Sequence, residues 1–148
     1  MSHYLYIIEH NMEKTYCGVT NDLQRRIEEH NGLRKGGAKA TRGKEWEYFC
    51  VIEGFQDRIS LLQFEWRMHH PDGKRKKNSK YFGIEGRLLS IKDVFEHWFQ
   101  KHGFSSFNIY MIPDYIEFLV LPPEWSNYLT LLPLDNLLQK KGDDESSN

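Results

Sequence analysis

The chain has 148 residues, enough for one domain with a hydrophobic core, and 14% of them are aromatic, which supplies bulky core material. Its formal net charge is −1, and its two cysteines, Cys17 and Cys50, show neither CxxC nor Cys/His finger spacing, which argues against a disulfide framework or a structural zinc site. Since the N-terminus lacks a signal pattern and no apolar run approaches a membrane span, we expect a soluble, intracellular protein of the nucleus or cytoplasm, without a membrane partner.

The N-terminal part predicts a hairpin followed by a helix. Residues 3–9, HYLYIIE, are aromatic and β-branched, which is typical of a strand. A polar turn at residues 10–13 and the run KTYCGV at residues 14–19 then predict an antiparallel hairpin. In the segment that follows, Leu23 and Ile27 lie four residues apart, which fits an amphipathic helix.

The sequence pattern predicts some of the elements after residue 31 clearly and others not. Four glycines among basic residues predict a loop at residues 32–44, with a short helix near AKAT. The run EWEYFCVIEGF resembles a third strand, and residues 59–68 and 86–102 have the apolar spacing of helices. The run FNIYMI is compatible with one more strand, whereas residues 113–139, rich in Pro and Leu, predict no clear element. Residues 140–148 have the composition of a disordered tail.

Positive charge is concentrated outside the C-terminal part. Residues 1–111 carry 18 Lys or Arg against 14 Asp or Glu, whereas residues 112–148 carry 2 against 7. Residues 25–44 hold seven basic residues and two acids, and residues 74–80, KRKKNSK, hold five and none. One such run is most often a solvated loop, but two beside the same candidate site favour nucleic acid. The candidate DNA contacts are Arg25, Arg34, Lys35, Lys39, Arg42, Lys74, Arg75, Lys76, Lys77 and Lys80.

Five polar side chains within the first 65 residues form a candidate catalytic site. Phosphodiester hydrolysis needs an attacking water, stabilisation of negative charge and help for the leaving oxygen. Arg26 and His30 share one helix face, where a guanidinium can grip phosphate and a histidine can orient water or shuttle a proton. Glu65 interrupts a mostly apolar helix and is the best candidate for a metal ligand. Tyr6 and Tyr16 lie in the two hairpin strands, and a nearby Arg26 and metal-bound water would lower the pKa of Tyr16.

Each of these residues also has an ordinary structural explanation. Strand tyrosines commonly pack into a core, and an Arg-x-x-x-His pattern is commonly a solvated basic face. Glu65 alone would more often be a surface carboxylate or a salt-bridge partner of Arg58 or Arg67. The set becomes specific only through its order and spacing.

Taken in chain order, these motifs resemble the GIY-YIG endonuclease superfamily. YLY at residues 4–6 stands where GIY would stand, and YCG at residues 16–18 stands where YIG or YVG would stand. TNDLQRRIEEHNG at residues 20–32 and FEW at residues 64–66 complete the pattern. The chain resembles in particular the nuclease domain of the eukaryotic SLX-type structure-specific endonuclease, over about residues 3–71 and more loosely over the later helix.

The resemblance implies an α/β (α+β) fold with a small central antiparallel sheet of about three strands flanked by helices. We expect a nuclease domain at residues 1–104, a C-terminal extension packed on it at residues 105–139, and the disordered tail at residues 140–148. The resemblance also implies a metal-dependent cut in DNA.

The resemblance further assigns a role to each site residue. Tyr6 and Tyr16 would be the motif tyrosines, one of them acting as or near the general base. Arg26 would stabilise the phosphate, and His30 matches a histidine found one turn later in many members. The remaining roles fall to Glu65, which would hold one Mg²⁺ or Mn²⁺ ion, and to Gly18, which would keep room for the DNA.

Three departures from the family pattern stand out. Tyr4 and Leu5 replace the Gly and Ile of GIY, and Cys17 fills the isoleucine site of YIG as a small hydrophobe. The cysteines of the RING-like zinc domain carried by the SLX-type subunit are absent. The scaffold partner that docks on that domain is therefore in doubt here, and a minimal nuclease of viral or otherwise reduced origin fits the pattern.

Three functions remain open at this point. The first is a structure-selective endonuclease acting on branched or flapped DNA in repair or recombination. The others are a non-catalytic branched-DNA-binding module and a sequence-specific GIY-YIG nuclease. The acidic C-terminal part is also compatible with a homo-oligomer interface. All assignments of the site require Tyr16, Arg26 and Glu65 to converge on one cleft.

Overall fold

The computed structural model describes residues 3–138, and the tail predicted at residues 140–148 lies outside them. Its strands are β1 (Tyr4–His10), β2 (Lys14–Thr20), β3 (Glu47–Glu53), β4 (Phe107–Met111) and β5 (Leu129–Pro133). Its helices are α1 (Leu23–His30), α2 (Arg58–His69), α3 (Gly83–His102) and α4 (Pro113–Ile116). Short 3₁₀ helices cover Lys39–Thr41, Ser79–Tyr81 and Pro123–Asn127, and residues 134–138 are helical.

The strands form one sheet in the order β2-β1-β3-β4-β5. β1 pairs antiparallel with β2 and β3, β3 pairs antiparallel with β4, and β5 runs parallel to β4. The predicted α+β class is confirmed, and the predicted three strands are β2, β1 and β3. The sheet is wider than predicted because FNIYMI supplies β4 and the region without a predicted element supplies β5. A parallel pair needs a crossover, and α4 with the third 3₁₀ helix provides it.

Alternating side chains give the sheet two apolar faces. Ile7 and Cys17 point into a core cluster shared with α2 and α3. Tyr6, on the other face, belongs to a second cluster that includes Leu23 of α1. Helix α1 therefore covers one face and helices α2 and α3 cover the opposite face, while β2 forms the outer edge between them.

Helices α1 and α2 each begin after an aspartate that caps the first turn. Asp22 accepts a hydrogen bond from the Arg25 backbone nitrogen at 3.0 Å, and Asp57 accepts one from that of Ser60 at 2.7 Å. The helices predicted at residues 59–68 and 86–102 are α2 and α3; both ends of α2 differ by one residue, and α3 begins three residues earlier and ends as predicted. No helix within residues 3–138 has both the length and the apolar character needed to cross a membrane.

Candidate active site

The hairpin register sets Tyr6 of β1 directly opposite Gly18 of β2. A Cβ atom at position 18 would lie 2.5 Å from the Tyr6 hydroxyl oxygen, so the phenol passes over the glycine at close range. Both residues are buried. The Tyr6 side chain therefore occupies the space directly over Gly18, and the role expected for Gly18 towards DNA stays a prediction.

A directed chain of hydrogen bonds joins Tyr6 to His30 and Thr41. The Tyr6 hydroxyl lies 2.6 Å from Nε2 of His30, and Nδ1 of His30 lies 2.9 Å from Oγ1 of Thr41. Since Thr41 donates its own proton to the Ala38 carbonyl at 2.9 Å, its oxygen accepts from Nδ1–H of His30. Nε2 then carries no proton and accepts the proton of Tyr6. The network fixes both the histidine tautomer and the direction of the phenol.

Burial sets the protonation state of this pair. It raises the pKa of Tyr6, and the hydrogen bond and charge of Arg26 only partly offset the effect. The pKa of His30 falls to about 4, because burial and the positive charge of Arg26 both disfavour the imidazolium. At neutral pH His30 is therefore uncharged and Tyr6 keeps its proton, so neither is a free base while their contact holds.

Arg26 reaches the same hydroxyl from α1. Its Nε donates to the Tyr6 oxygen at 3.0 Å, and its Nη1 donates to the Glu29 carboxylate at 3.1 Å and the Gly36 carbonyl at 2.9 Å. Within residues 3–138 every buried side-chain nitrogen or oxygen has a hydrogen-bond partner. Nη2 of Arg26 has no partner among these residues, so it is not buried and faces solvent. The guanidinium is thus held firmly with one nitrogen left for a phosphate oxygen.

Tyr16 is the more accessible of the two motif tyrosines. It lies on edge strand β2, is only partly buried, and packs its ring against His30 with 5.1 Å between ring centroids. In the described part of the chain no hydrogen bond engages its hydroxyl. Its hydroxyl is therefore available to water or substrate, whereas that of Tyr6 is committed to His30.

Glu65 comes to β2 from the opposite face, on α2. Its carboxylate is partly buried and lies 3.9 Å from Nε2 of His69. Burial raises the pKa of Glu65, and the positive charge of Arg58 only partly offsets this. Helix α2 packs against β2, so the helix that carries Glu65 lies beside the strand that carries Tyr16. The salt bridges to Arg58 or Arg67 considered from the sequence are not formed within residues 3–138.

The structure thus brings four of the five predicted site residues into one network, Tyr6, Tyr16, Arg26 and His30. Glu65 stands apart from it: no hydrogen bond or ion pair among the described residues links Glu65 to Tyr16 or Arg26. The contacts of the described residues therefore do not bring Glu65 together with Tyr16 and Arg26, and their convergence on one cleft, which the sequence-based assignment requires, stays a prediction. What the two parts share is the edge strand β2, approached from its two faces.

Two neighbours of the site were not predicted. His69 follows Glu65 by four residues on α2, and that helical spacing could have indicated it. Thr41 carries no such signal, because its contact with His30 depends on how the glycine-rich loop folds back onto α1.

Seven of the ten basic residues predicted to contact DNA line two adjoining clefts, whereas Arg25, Lys39 and Lys80 line neither of them. One, of about 530 Å³, lies beside His30 and includes Arg34, Lys35 and Arg42. The other, of about 400 Å³, is lined by Thr15 of β2, His69 of α2, Arg87 of α3 and the run Lys74–Lys77. We call this second one the lysine cleft. Lys44 lines both clefts.

The cationic residues predicted as DNA contacts are all exposed, in contrast to buried Gly18. Two of them already have partners. Arg34 pairs with Glu28 at 2.8 Å, and Arg25 donates to the Asn21 side chain at 3.2 Å. Both contacts are exposed and exchange readily with water or phosphate.

The edge hairpin of this α+β fold carries two tyrosines, the next helix carries an arginine and a histidine, and a later helix adds a carboxylate. This combination defines a class of nuclease-like domains. A family model described as the GIY-YIG catalytic domain matches residues 2–81, more than half of the chain. The chain belongs to the GIY-YIG catalytic domain family.

Several curated relatives bear the name structure-specific endonuclease subunit slx1. The protein from Aspergillus terreus is 48% identical over 61 residues, which cover 40% of this chain and 16% of the relative. That from Schizosaccharomyces japonicus is 37% identical over 91 residues, which cover 60% of this chain and 32% of the relative. The matches therefore span less than a third of either relative, and they confirm the resemblance to an SLX-type nuclease domain.

Proposed function

We propose that this protein is a metal-dependent, structure-selective DNA endonuclease that hydrolyses phosphodiester bonds in branched or flapped DNA, in repair or recombination. The observation that carries the proposal is the network of Arg26, Tyr6 and His30 beneath the accessible Tyr16, with Glu65 across the same edge strand. The names of the relatives support the choice of DNA structure as substrate.

Glu65 is the residue we propose to hold one Mg²⁺ or Mn²⁺ ion. The donor chemistry fits: a partly buried carboxylate with a raised pKa and only a distant histidine partner gains from a hard cation. No group of three or more His, Cys, Asp or Glu side chains suited to a metal occurs within residues 3–138. One carboxylate, completed by waters and substrate phosphate, is a usual arrangement for Mg²⁺. When bound, the ion would supply Lewis-acid help to the scissile phosphate and the leaving oxygen.

Arg26 is assigned to the negative charge of the scissile phosphate. Its Nε and Nη1 are fixed by Tyr6, Glu29 and Gly36, and its free Nη2 points to solvent. A guanidinium held in place before the substrate arrives needs no reorganisation as charge develops. The same hydrogen bond makes Tyr6 a positioning residue for Arg26 rather than a base.

Tyr16 is the tyrosine we assign to the attacking water. Its accessible hydroxyl can orient that water, and once it has released its own proton to solvent the phenolate can take the proton of the water. The neutral His30 ring packs against the Tyr16 ring. Burial and the charge of Arg26 keep His30 uncharged, and the Tyr6–His30 hydrogen bond holds its ring in place against Tyr16.

The exposed lysines and arginines of the two clefts are assigned to backbone phosphates. Such contacts give affinity and register on the DNA without reading sequence. This favours selection by DNA shape over the restriction-like or homing-type alternative.

The test compares nicking of labelled flap, fork, four-way and linear duplex DNA with Mg²⁺, for the parent and for Glu65→Gln and Arg26→Ala. We expect cuts near the branch, a loss of about 100-fold or more in each variant, and retained DNA binding in Glu65→Gln. Glu85→Gln, an exposed glutamate of α3, is the matched control and should cut normally.

Three outcomes contradict the proposal or part of it. If Glu65→Gln and Arg26→Ala both cut DNA as fast as the parent, the assignment of the site residues is wrong. Junction binding without nicking in Mg²⁺ or Mn²⁺ favours the non-catalytic module. Cutting of linear duplex at one fixed sequence favours the sequence-specific nuclease.

A further inference from the structure

Phe82 is an exposed aromatic side chain inside the lysine cleft. It is 59% exposed, although phenylalanine is ordinarily a core residue, and it lines the cleft with the run Lys74–Lys77. In the described part of the chain it belongs to neither core cluster, and its ring stacks on no other ring. Its apolar surface therefore contributes nothing evident to the fold.

The backbone on either side of Phe82 is firmly anchored. Its nitrogen donates to the Ser79 carbonyl at 3.1 Å, closing the 3₁₀ helix that precedes α3. The neighbouring Tyr81 is buried and donates from its hydroxyl to Asp93 at 2.6 Å. Only the Phe82 side chain projects, so ordering it on a ligand costs little conformational entropy.

The surroundings of Phe82 carry strong positive charge. Seven Lys or Arg side chains line the lysine cleft against two carboxylates, those of Glu13 and Asp72. Arg87 lies at the β2 side, where its Nε donates to Thr15 at 2.8 Å. Thr15 precedes Tyr16 of the candidate site, and His69, which also lines the cleft, lies beside Glu65. A ligand in this cleft would therefore reach the strand that carries the site.

We propose that the lysine cleft binds an unpaired stretch of DNA strand next to the cut, with one nucleobase stacked on the Phe82 ring and its flanking phosphates on the lysines. This inference rests on the proposed function and names the part of the branched substrate that the cleft takes.

The combination of groups selects unpaired over paired DNA. Aromatic platforms set among cations are how proteins hold single strands, because every base has a π face while the phosphates follow the positive groove. In a duplex the faces of the bases are covered by their neighbours, so Phe82 would find only backbone there. The lysines alone would attract both kinds of DNA.

The experiment measures binding by fluorescence anisotropy with EDTA present, so that no DNA is cut. The probes are a fork with unpaired arms and a fully paired duplex of the same length. For Phe82→Ala we expect about tenfold weaker binding of the fork and unchanged binding of the duplex. Phe82→Trp should keep the preference for the fork, and Phe82→Leu, of similar size but without a π face, should lose it.

Phe118→Ala is the matched control, because Phe118 is 58% exposed and lines a different cleft without the lysine run. It should leave both affinities unchanged. Lys76→Ala should weaken fork and duplex alike and reduce the salt dependence of both.

The inference is overturned if Phe82→Ala and Phe82→Leu keep the parent's ratio of fork to duplex affinity, or if Phe118→Ala changes that ratio equally. Failure of the proposed function looks different. In that case the parent prefers the fork, Phe82→Ala removes the preference, and no magnesium-dependent nicking occurs.

Discussion

The Tyr6 hydroxyl lies 2.6 Å from Nε2 of His30, and both side chains are buried. Because Thr41 holds the only proton of a neutral imidazole on Nδ1, the histidine can serve Tyr6 only as an acceptor. The tyrosine and the histidine that the sequence predicts as two catalytic groups are thus joined in one hydrogen-bonded unit, with the Tyr16 ring packed against it.

The first prediction concerns stability against pH. The pKa of His30 is about 4 in the fold against an ordinary value of 6.5, so between these values the unfolded chain binds more protons. His30 therefore contributes stability that is fully present above pH 6.5 and is lost as the pH falls towards 4, by about 2 to 3 kcal/mol. Urea unfolding at several pH values measures this, and His30→Gln should remove that part of the dependence. Identical pH slopes for the parent and the variant would show that His30 is not held neutral.

The second prediction concerns Thr41. Thr41→Val keeps the volume but leaves the Nδ1 proton of buried His30 without an acceptor, so we expect a loss of about 1 to 3 kcal/mol in unfolding free energy. We also expect reduced nicking and a changed histidine tautomer, read from ¹⁵N chemical shifts of the imidazole. Thr41→Ser retains the hydroxyl and should remain close to the parent. A Val variant with the parent's tautomer and activity would contradict the directed network.

The third prediction tests the close approach at Gly18. In Gly18→Ala the new methyl group would meet the Tyr6 hydroxyl at 2.5 Å and its ring carbon at 2.8 Å, so we expect a loss of about 1 to 3 kcal/mol in stability and a weaker site. The same change in a Tyr6→Phe background should cost less, because the nearest atom is gone. A double-mutant cycle by denaturant unfolding measures this coupling. Strictly additive losses in unfolding free energy would contradict the close contact between the Tyr6 ring and Gly18.

Local pattern accounts for most of the elements foreseen from the sequence. Aromatic and β-branched composition with a short polar turn marked β1 and β2, and apolar spacing marked α1, α2 and α3. Strand β5 was not predicted for two reasons. Its sequence LTLLP ends in proline and shows no alternation, and it pairs with β4 only across a crossover that contains two further elements. Which two distant segments pair with each other cannot be predicted from the residue pattern within either segment.

The site divides in the same way. Arg26 and His30 follow from helical spacing, and Tyr6 and Tyr16 follow from their strands, so residue type and local geometry sufficed to group them. Which tyrosine is accessible did not follow, because it depends on the register that puts Tyr6 over Gly18. The placement of Glu65 on the opposite face likewise depends on how α2 packs on the sheet.

Strand β3 precedes its neighbour β4 by more than 50 residues in the chain, so β3 is synthesised well before the strand that pairs with it. Until residue 107 leaves the ribosome, β3 has one side without a neighbour, since β4 is the strand that pairs there. An uncovered strand is a template for joining another chain. The nascent N-terminal segment, which already holds every residue of the candidate site, therefore exposes this strand edge to self-association until β4 is made.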